Sequence, residues 1–233
     1  ISDPNLIKSS EEKLYSEKVI YLPKIWNVHC GFDFERKQSS PPFIKNKYFT
    51  FGSFNSFDKI NEDVVSVWSK ILKKIENSKL VLKTSSIRHA TERLKESFEK
   101  NGVLESIIFK NRDKELKDHL ENYNDIDIAL DTFPYNGVTT SFEAIWMGVP
   151  VVTMAGYNFN SRCGESINKN LNMEQLIAKD EEDYIQKVIN LTNNHESYTN
   201  LRKSIFLNAP TSPLFNSHDY SKSFFEALEE IVK

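Results

Sequence analysis

From residue 48 onward, short apolar runs alternate with amphipathic stretches. Runs at 48–54, 79–84, 106–111, 127–132 and 150–154 carry β-branched or aromatic residues and have strand length. Between them, residues 62–76, 88–101, 113–122 and 139–147 follow the helical period. Strands and helices alternating at roughly 25-residue spacing predict an α/β fold, a parallel sheet with helices on both faces and ligands at the strands' carboxyl ends. Beyond Met154 the pattern turns helical, at 161–170, 181–192, 195–207 and 218–232, with Pro210 and Pro213 breaking the chain before the last helix. The first 40 residues are less regular: 8–18 is charged and helix-like, 19–22 is a short apolar run, and Ser39 to Pro42 punctuate the approach to the first strand. No internal linker is long enough to divide two folded units, so one domain is expected.

The stretch 130–154 has the densest chemistry. Ile128, Ala129 and Leu130 lead into Thr132, Pro134 stops the strand, and Gly137 is expected to lend the freedom in φ that a tight approach to a ligand needs. Thr139 and Thr140 then open a helix, whose first turn presents unpaired N–H groups and a partial positive charge suited to a diphosphate. A capping box of Thr140 with Glu143 would explain both residues with no ligand at all.

Composition narrows the classes. A 233-residue chain of 27.0 kDa can bury a substantial core. Its formal charge of −3 lacks the basic excess of a nucleic-acid binder, so no nucleic-acid partner is expected. Cys30 and Cys163 lie far apart with no metal-ligand spacing, which fits a reducing compartment without a disulfide framework or zinc site. No apolar run approaches the ~20 residues needed to span a bilayer, and no secretory leader is visible. A cytoplasmic location with no membrane partner is therefore expected, and the sequon at Asn190 is read as accidental. Asp125 and Asp127 form a DxD pair, the spacing that can hold a divalent cation on a diphosphate. They stand at the N-terminal end of their strand, the wrong edge for the loop at 134–140, and read as a solvated strand start.

Several separated motifs, DTFPYNGVTTSFEAIWMGVPVVTMAG, Ser161-Arg162, QLIAKDEEDYIQKV, SPLFNSHDYSKSF and, upstream, FGSFNSFDKI and YSEKVIYLPK, resemble the C-terminal catalytic region of the O-GlcNAc transferase and SPINDLY family. The resemblance covers nearly the whole chain and implies a GT-B-type Rossmann-like lobe with a helical C-terminal extension. It divides the chain into a connector at 1–47 and a nucleotide-sugar-binding lobe at 48–233. The chain starts at Ile1, and its opening motif resembles the middle of the family's catalytic region; a fragment is expected. The N-terminal catalytic lobe and tetratricopeptide repeats would lie in the full-length protein, and no ~34-residue repeat is visible here. The short connector resembles bacterial members.

By resemblance, Lys59 takes the place of the diphosphate-binding lysine that stabilises the leaving group, although alone it reads as an ordinary solvated lysine. His119 falls twelve residues before Asp131, where the family histidine packs near the base, and Glu143 falls at the ribose-binding acid. Asn55, Ser56, Asn136, Gly137, Val138, Thr139 and Thr140 complete the implied donor site. Val138 stands where animal members carry histidine, and Asn122 where an arginine is expected near the base, so the nucleotide's identity stays open. The resemblance implies an inverting, metal-independent transferase moving a sugar, foremost GlcNAc from UDP-GlcNAc, to Ser or Thr of a protein acceptor, with its general base outside this chain. A SPINDLY-type GDP-fucose donor, a nucleotide-sugar epimerase and a non-catalytic binding module are the alternatives.

Overall fold

The computed structural model describes residues 1–84 and 88–232. Its centre is a six-stranded parallel sheet in the order β3-β2-β1-β4-β5-β6. The strands are β1 (Thr50–Ser53), β2 (Lys79–Lys83), β3 (Ile107–Lys110), β4 (Ile128–Leu130), β5 (Val151–Met154) and β6 (Ile177–Ala178). β1 and β4 are buried along their whole length. That is why they read as continuous apolar runs rather than alternating ones. The predicted strands all form, each shorter by one to three residues because the flanking positions lie outside the ladders.

Nine α-helices surround the sheet among the described residues: α1 (Pro42–Asn46), α2 (Glu62–Lys74), α3 (Arg88–Lys100), α4 (Leu116–Glu121), α5 (Thr139–Trp146), α6 (Cys163–Asn170), α7 (Glu181–Asn193), α8 (His195–Asn208) and α9 (Ser217–Val232). α2 shows how the sequence specifies them. The Asn61 side chain accepts from the Val64 amide at 2.9 Å, Glu62 and Asp63 sit at the positive end, and Lys73 and Lys74 at the negative end. Val64, Val67, Trp68 and Ile71 form the buried stripe. α2 packs against α3 and α7, while α5 packs against α6 and α8.

The chain runs from β1 outward to β2 and β3, then returns to place β4 on the other side of β1. Here the winding reverses, the place where doubly wound sheets hold ligands at the carboxyl ends of their strands.

Three local expectations need correction. Asp125 is at the surface, paired with Lys110 at 2.6 Å, but Asp127 is fully buried. It accepts from the amides of Thr50 at 2.8 Å and Phe43 at 3.1 Å, and the Tyr198 hydroxyl donates to its backbone carbonyl. Backbone donors at the starts of α1 and β1 need an acceptor away from water, and Asp127 supplies it. Burial pushes its carboxyl up to about 6. Residues 8–18 hold only a short 3-10 helix, Ser9–Leu14. Finally, Ser39 to Pro42 introduces α1, since proline suits the first turn of a helix, and β6 was not anticipated at all.

Candidate functional site

The loop between β4 and α5 is held from below by Asp131. This fully buried carboxylate accepts from the amides of Gly137 at 2.6 Å and Thr132 at 2.9 Å, and from the Thr153 hydroxyl at 2.7 Å. Burial raises it to about 6 against the lowering effect of these donors. Asn136 braces the loop sideways. Its Nδ2 donates to the Thr132 carbonyl at 2.9 Å, and its Oδ1 accepts from the Gly164 amide at 3.1 Å.

Gly137 is required, for a different reason from the one expected. Its φ is not positive. A Cβ there would lie 2.7 Å from Thr140 Oγ1, 2.8 Å from Asn55 Oδ1 and 3.0 Å from Asp131 Oδ1. Close approach of polar side chains, rather than left-handed backbone, excludes a side chain.

The capping box also does not form. α5 starts at Thr139 with Val138 as its cap residue and no side-chain cap bond, so Thr140 already lies inside the first turn. The Thr140 hydroxyl donates to Asn55 Oδ1 at 2.9 Å, tying the end of β1 to the start of α5. Among the described residues, none accepts from the amides of Val138, Thr139 or Thr140. Three adjacent N–H groups at a helix's positive end are thus available to an anion.

Lys59 approaches the same turn. Its Nζ donates to the Asn136 carbonyl at 2.8 Å and lies 4.2 Å from the centre of the Tyr135 ring. Burial lowers its pKa from the ordinary lysine range, with Asp131 acting in the opposite sense. An ammonium has three donors, and only one is used here. Ser56 caps the 3-10 helix Phe57–Lys59 that carries Lys59 but is exposed, with its hydroxyl on Asp58 Oδ2 at 3.3 Å; among the described residues no hydrogen bond joins its side chain to the cluster.

Glu143 is buried one turn further along α5. Its Oε2 accepts from the Tyr123 hydroxyl at 2.9 Å and faces His119 Nε2 at 3.0 Å. An Nε2-protonated ring donates there. Glu143 Oε1 has no protein partner among the described residues. A cavity of about 220 Å³ opens beside Asn55 and His119, between Phe54, Phe57, Lys83, Arg112 and Asp113. A larger cleft, about 510 Å³ beside α1, is at the opposite edge of β1.

Nine of the ten candidate residues therefore cluster around the β4–α5 turn and the first turns of α5, and Ser56 borders them. Asn122 is spent within the scaffold, donating to Asp113 Oδ2 and the Asp118 carbonyl and accepting from Lys110. Sequence reading passed over Asp131, Tyr123, Thr153, Lys83 and Asp113. Asp131 alone carried a usable signal, a carboxylate directly before a Gly-containing turn; the others are assembled from separate strands, a 3-10 turn and the loop between β3 and α4.

Residues 38–224 match the model of glycosyl transferase family 41. A probable UDP-N-acetylglucosamine–peptide N-acetylglucosaminyltransferase SPINDLY of Solanum lycopersicum is 33% identical over 230 residues, covering 96% of this chain and 24% of that protein. A Thermobaculum terrenum O-GlcNAc transferase mutant superimposes with a TM-score of 0.86 at 28% identity, covering 99% of this chain and 43% of the other. Sucrose-phosphate synthase from Thermosynechococcus elongatus shares the fold alone, at a TM-score of 0.66 and 10% identity over 100% of this chain and 58% of the other. The chain thus spans about a quarter of the length of its curated relatives, and its sheet is that of a GT-B glycosyltransferase lobe. By the match over 38–224 and the identity along nearly its whole length, the chain belongs to glycosyl transferase family 41.

Proposed function

We propose that this chain is the donor-binding lobe of an inverting protein O-glycosyltransferase that takes GlcNAc from UDP-GlcNAc. The observation that carries the reading is the convergence of Lys59 with the free amides of residues 138–140 at the carboxyl ends of β1 and β4, where the winding reverses. The names of the relatives supply the sugar, the nucleotide and the peptide acceptor.

In this reading the acceptor hydroxyl oxygen forms a bond to the anomeric carbon as the bond to the diphosphate breaks. The electron pair passes to the leaving phosphate oxygen, where the Lys59 ammonium and the α5 amides offset the developing charge. These fixed donors do the work a divalent cation does in other transferases, which supports a metal-independent step. Glu143 Oε1 accepts from a ribose hydroxyl, and His119, held by Glu143, flanks the base. The proton of the acceptor goes to a base outside this chain. Residues 1–47 form a connector to a companion lobe, which the exposed Phe225, Ile231 and Val232 of α9 are suited to meet.

Isothermal titration with UDP, GDP and pyrophosphate tests the donor site, and transfer to a peptide tests the reaction. Diphosphate binding without transfer by residues 1–233, and transfer by the full-length protein, are expected. Absence of nucleotide binding would favour a non-catalytic module, and interconversion of UDP-sugars without peptide transfer would favour an epimerase.

A further inference from the structure

Lys59 is a cation held without a counter-ion. At the end of the neighbouring strand β2, Lys83 is ion-paired with Asp113 Oδ2, so its charge is already answered. Among the described residues no carboxylate pairs with Lys59 in this way. Asp131, whose charge reaches Lys59, turns its oxygens to the Gly137 and Thr132 amides and the Thr153 hydroxyl instead.

The β4–α5 turn holds the ammonium. Nζ donates to the Asn136 carbonyl at 2.8 Å and lies 4.2 Å from the centre of the Tyr135 ring, within cation–π range. The peptide that joins these two residues is fixed at both of its polar atoms. The Thr132 hydroxyl donates to its carbonyl at 2.7 Å, and its N–H donates to the Asn160 carbonyl at 3.0 Å. Tyr135 itself is 48% exposed, takes no part in the hydrophobic core, and its hydroxyl has no protein partner among the described residues. Neither core packing nor a hydrogen bond of the hydroxyl explains this side chain.

A lysine ammonium on its flexible stem has many positions open to it. A carboxylate would fix it, but would also cancel its charge and compete with an anionic ligand. An aromatic ring attracts the cation through its quadrupole and competes for none of its hydrogens. With the carbonyl taking one donor, two N–H groups stay available.

Resting on the donor-lobe reading, we propose that Tyr135 is a positioning residue for the transfer. Its ring, together with the Asn136 carbonyl, holds the Lys59 ammonium unpaired beside the free amides of residues 138–140 and so keeps its charge for the leaving diphosphate. Tyr135 acts through Lys59 alone and touches no reacting atom.

The test is a double-mutant cycle in the full-length protein, read by turnover with a peptide acceptor and by titration with pyrophosphate. Leucine keeps apolar volume at position 135 without the quadrupole. Tyr135→Leu should lower turnover and weaken pyrophosphate by about fivefold each, as expected for a half-buried cation–π contact. Tyr135→Phe retains the ring and should restore both to within about twofold of wild type. In a Lys59→Ala background, Tyr135→Leu should change neither measurement, since residues that act as one unit are not additive. Tyr135→Ala, read in the same cycle, replaces the leucine variant if that one fails to fold. A fall of equal size in the Lys59→Ala background would give Tyr135 a role independent of the lysine and overturn the proposal. So would ordinary turnover and pyrophosphate binding in folded Tyr135→Leu, or a loss in Tyr135→Phe as large as in Tyr135→Leu. These results would leave the donor lobe standing as long as Lys59→Ala alone weakens pyrophosphate. If Lys59→Ala alters neither turnover nor pyrophosphate binding, the donor-site reading itself falls, and this proposal with it.

Discussion

A lysine and a glutamate carry most of the chemical argument, and each makes a separable prediction. On the proposed function, Lys59→Ala removes a charge where the leaving diphosphate becomes more negative, and turnover of the full-length protein should fall by on the order of a hundredfold or more. Its one hydrogen bond goes to a loop carbonyl, so the melting temperature should move little. A folded variant of ordinary activity would make Lys59 a bystander. Glu143→Ala should weaken UDP by about 1.5–3 kcal/mol, the value of a charged hydrogen bond, while pyrophosphate, which has no ribose, binds as before. The Tyr123 hydroxyl loses an acceptor in this variant but keeps the Thr140 carbonyl at 3.2 Å, so stability should suffer only slightly. Equal weakening of both ligands, seen by titration, would point instead to a disturbed helix start. The sequence placed Glu143 correctly on α5, but could not tell that Tyr123 and His119 would occupy one of its oxygens, because those partners come from 24 or fewer residues away through a loop of no fixed pattern.

Elements were more legible than their joints. Five strands and eight of the nine helices were marked by apolar periodicity, which depends on nothing beyond the local chain and one buried face. β6 has two residues, and α1 has five, too few to show a period. What pattern could not give is the brace beneath the β4–α5 turn, where Asp131 gathers donors from three places. Its titration should be visible in stability. The folded-state pKa is raised from 3.8 to about 6, so the contribution favours folding at acid pH and is lost as pH rises through about 6. Between pH 5 and 7 that loss should be about 1 kcal/mol by linkage. Asp127, also raised to about 6, loses stability in the same direction. In Asp131→Asn, the amide nitrogen can face Thr153, whose hydroxyl turns to accept, so the fold should persist. Urea unfolding at the two pH values should then show a smaller fall than in the wild type, the remainder belonging to Asp127. An unchanged fall would mean that Asp131 does not titrate in this window.

At the scale of the whole chain, the first residues are fastened to α6, behind the candidate site. Arg162, at the start of α6, donates through Nη1 and Nη2 to both oxygens of Glu11, at 2.5 and 2.8 Å, and through Nε to the Gly156 carbonyl at 2.8 Å. Buried Asp3 accepts from the Ser166 hydroxyl at 2.6 Å and the Trp26 amide at 3.1 Å. Beneath these ties, Leu6 and Ile7 pack on Cys163, whose thiol burial pushes up to about 12. Cys30 is exposed. A thiol reagent should therefore modify Cys30 at once and Cys163 only when the N-terminal segment lifts, a local opening whose free energy the ties set. Hydrogen bonding to Arg162 holds the Glu11 carboxyl at about 2, so its contribution is present above 4.5 and is lost as pH falls toward 2; at neutral pH the tie is complete. Glu11→Ala should accelerate modification of Cys163 by on the order of tenfold and leave Cys30 unchanged, since the loss of charge-assisted hydrogen bonds makes the opening easier. Global unfolding by urea distinguishes the routes: if the segment opens locally, the Cys163 rate should rise by more than the change in global stability allows. An equal change in both would mean that Cys163 is reached only by unfolding the whole sheet.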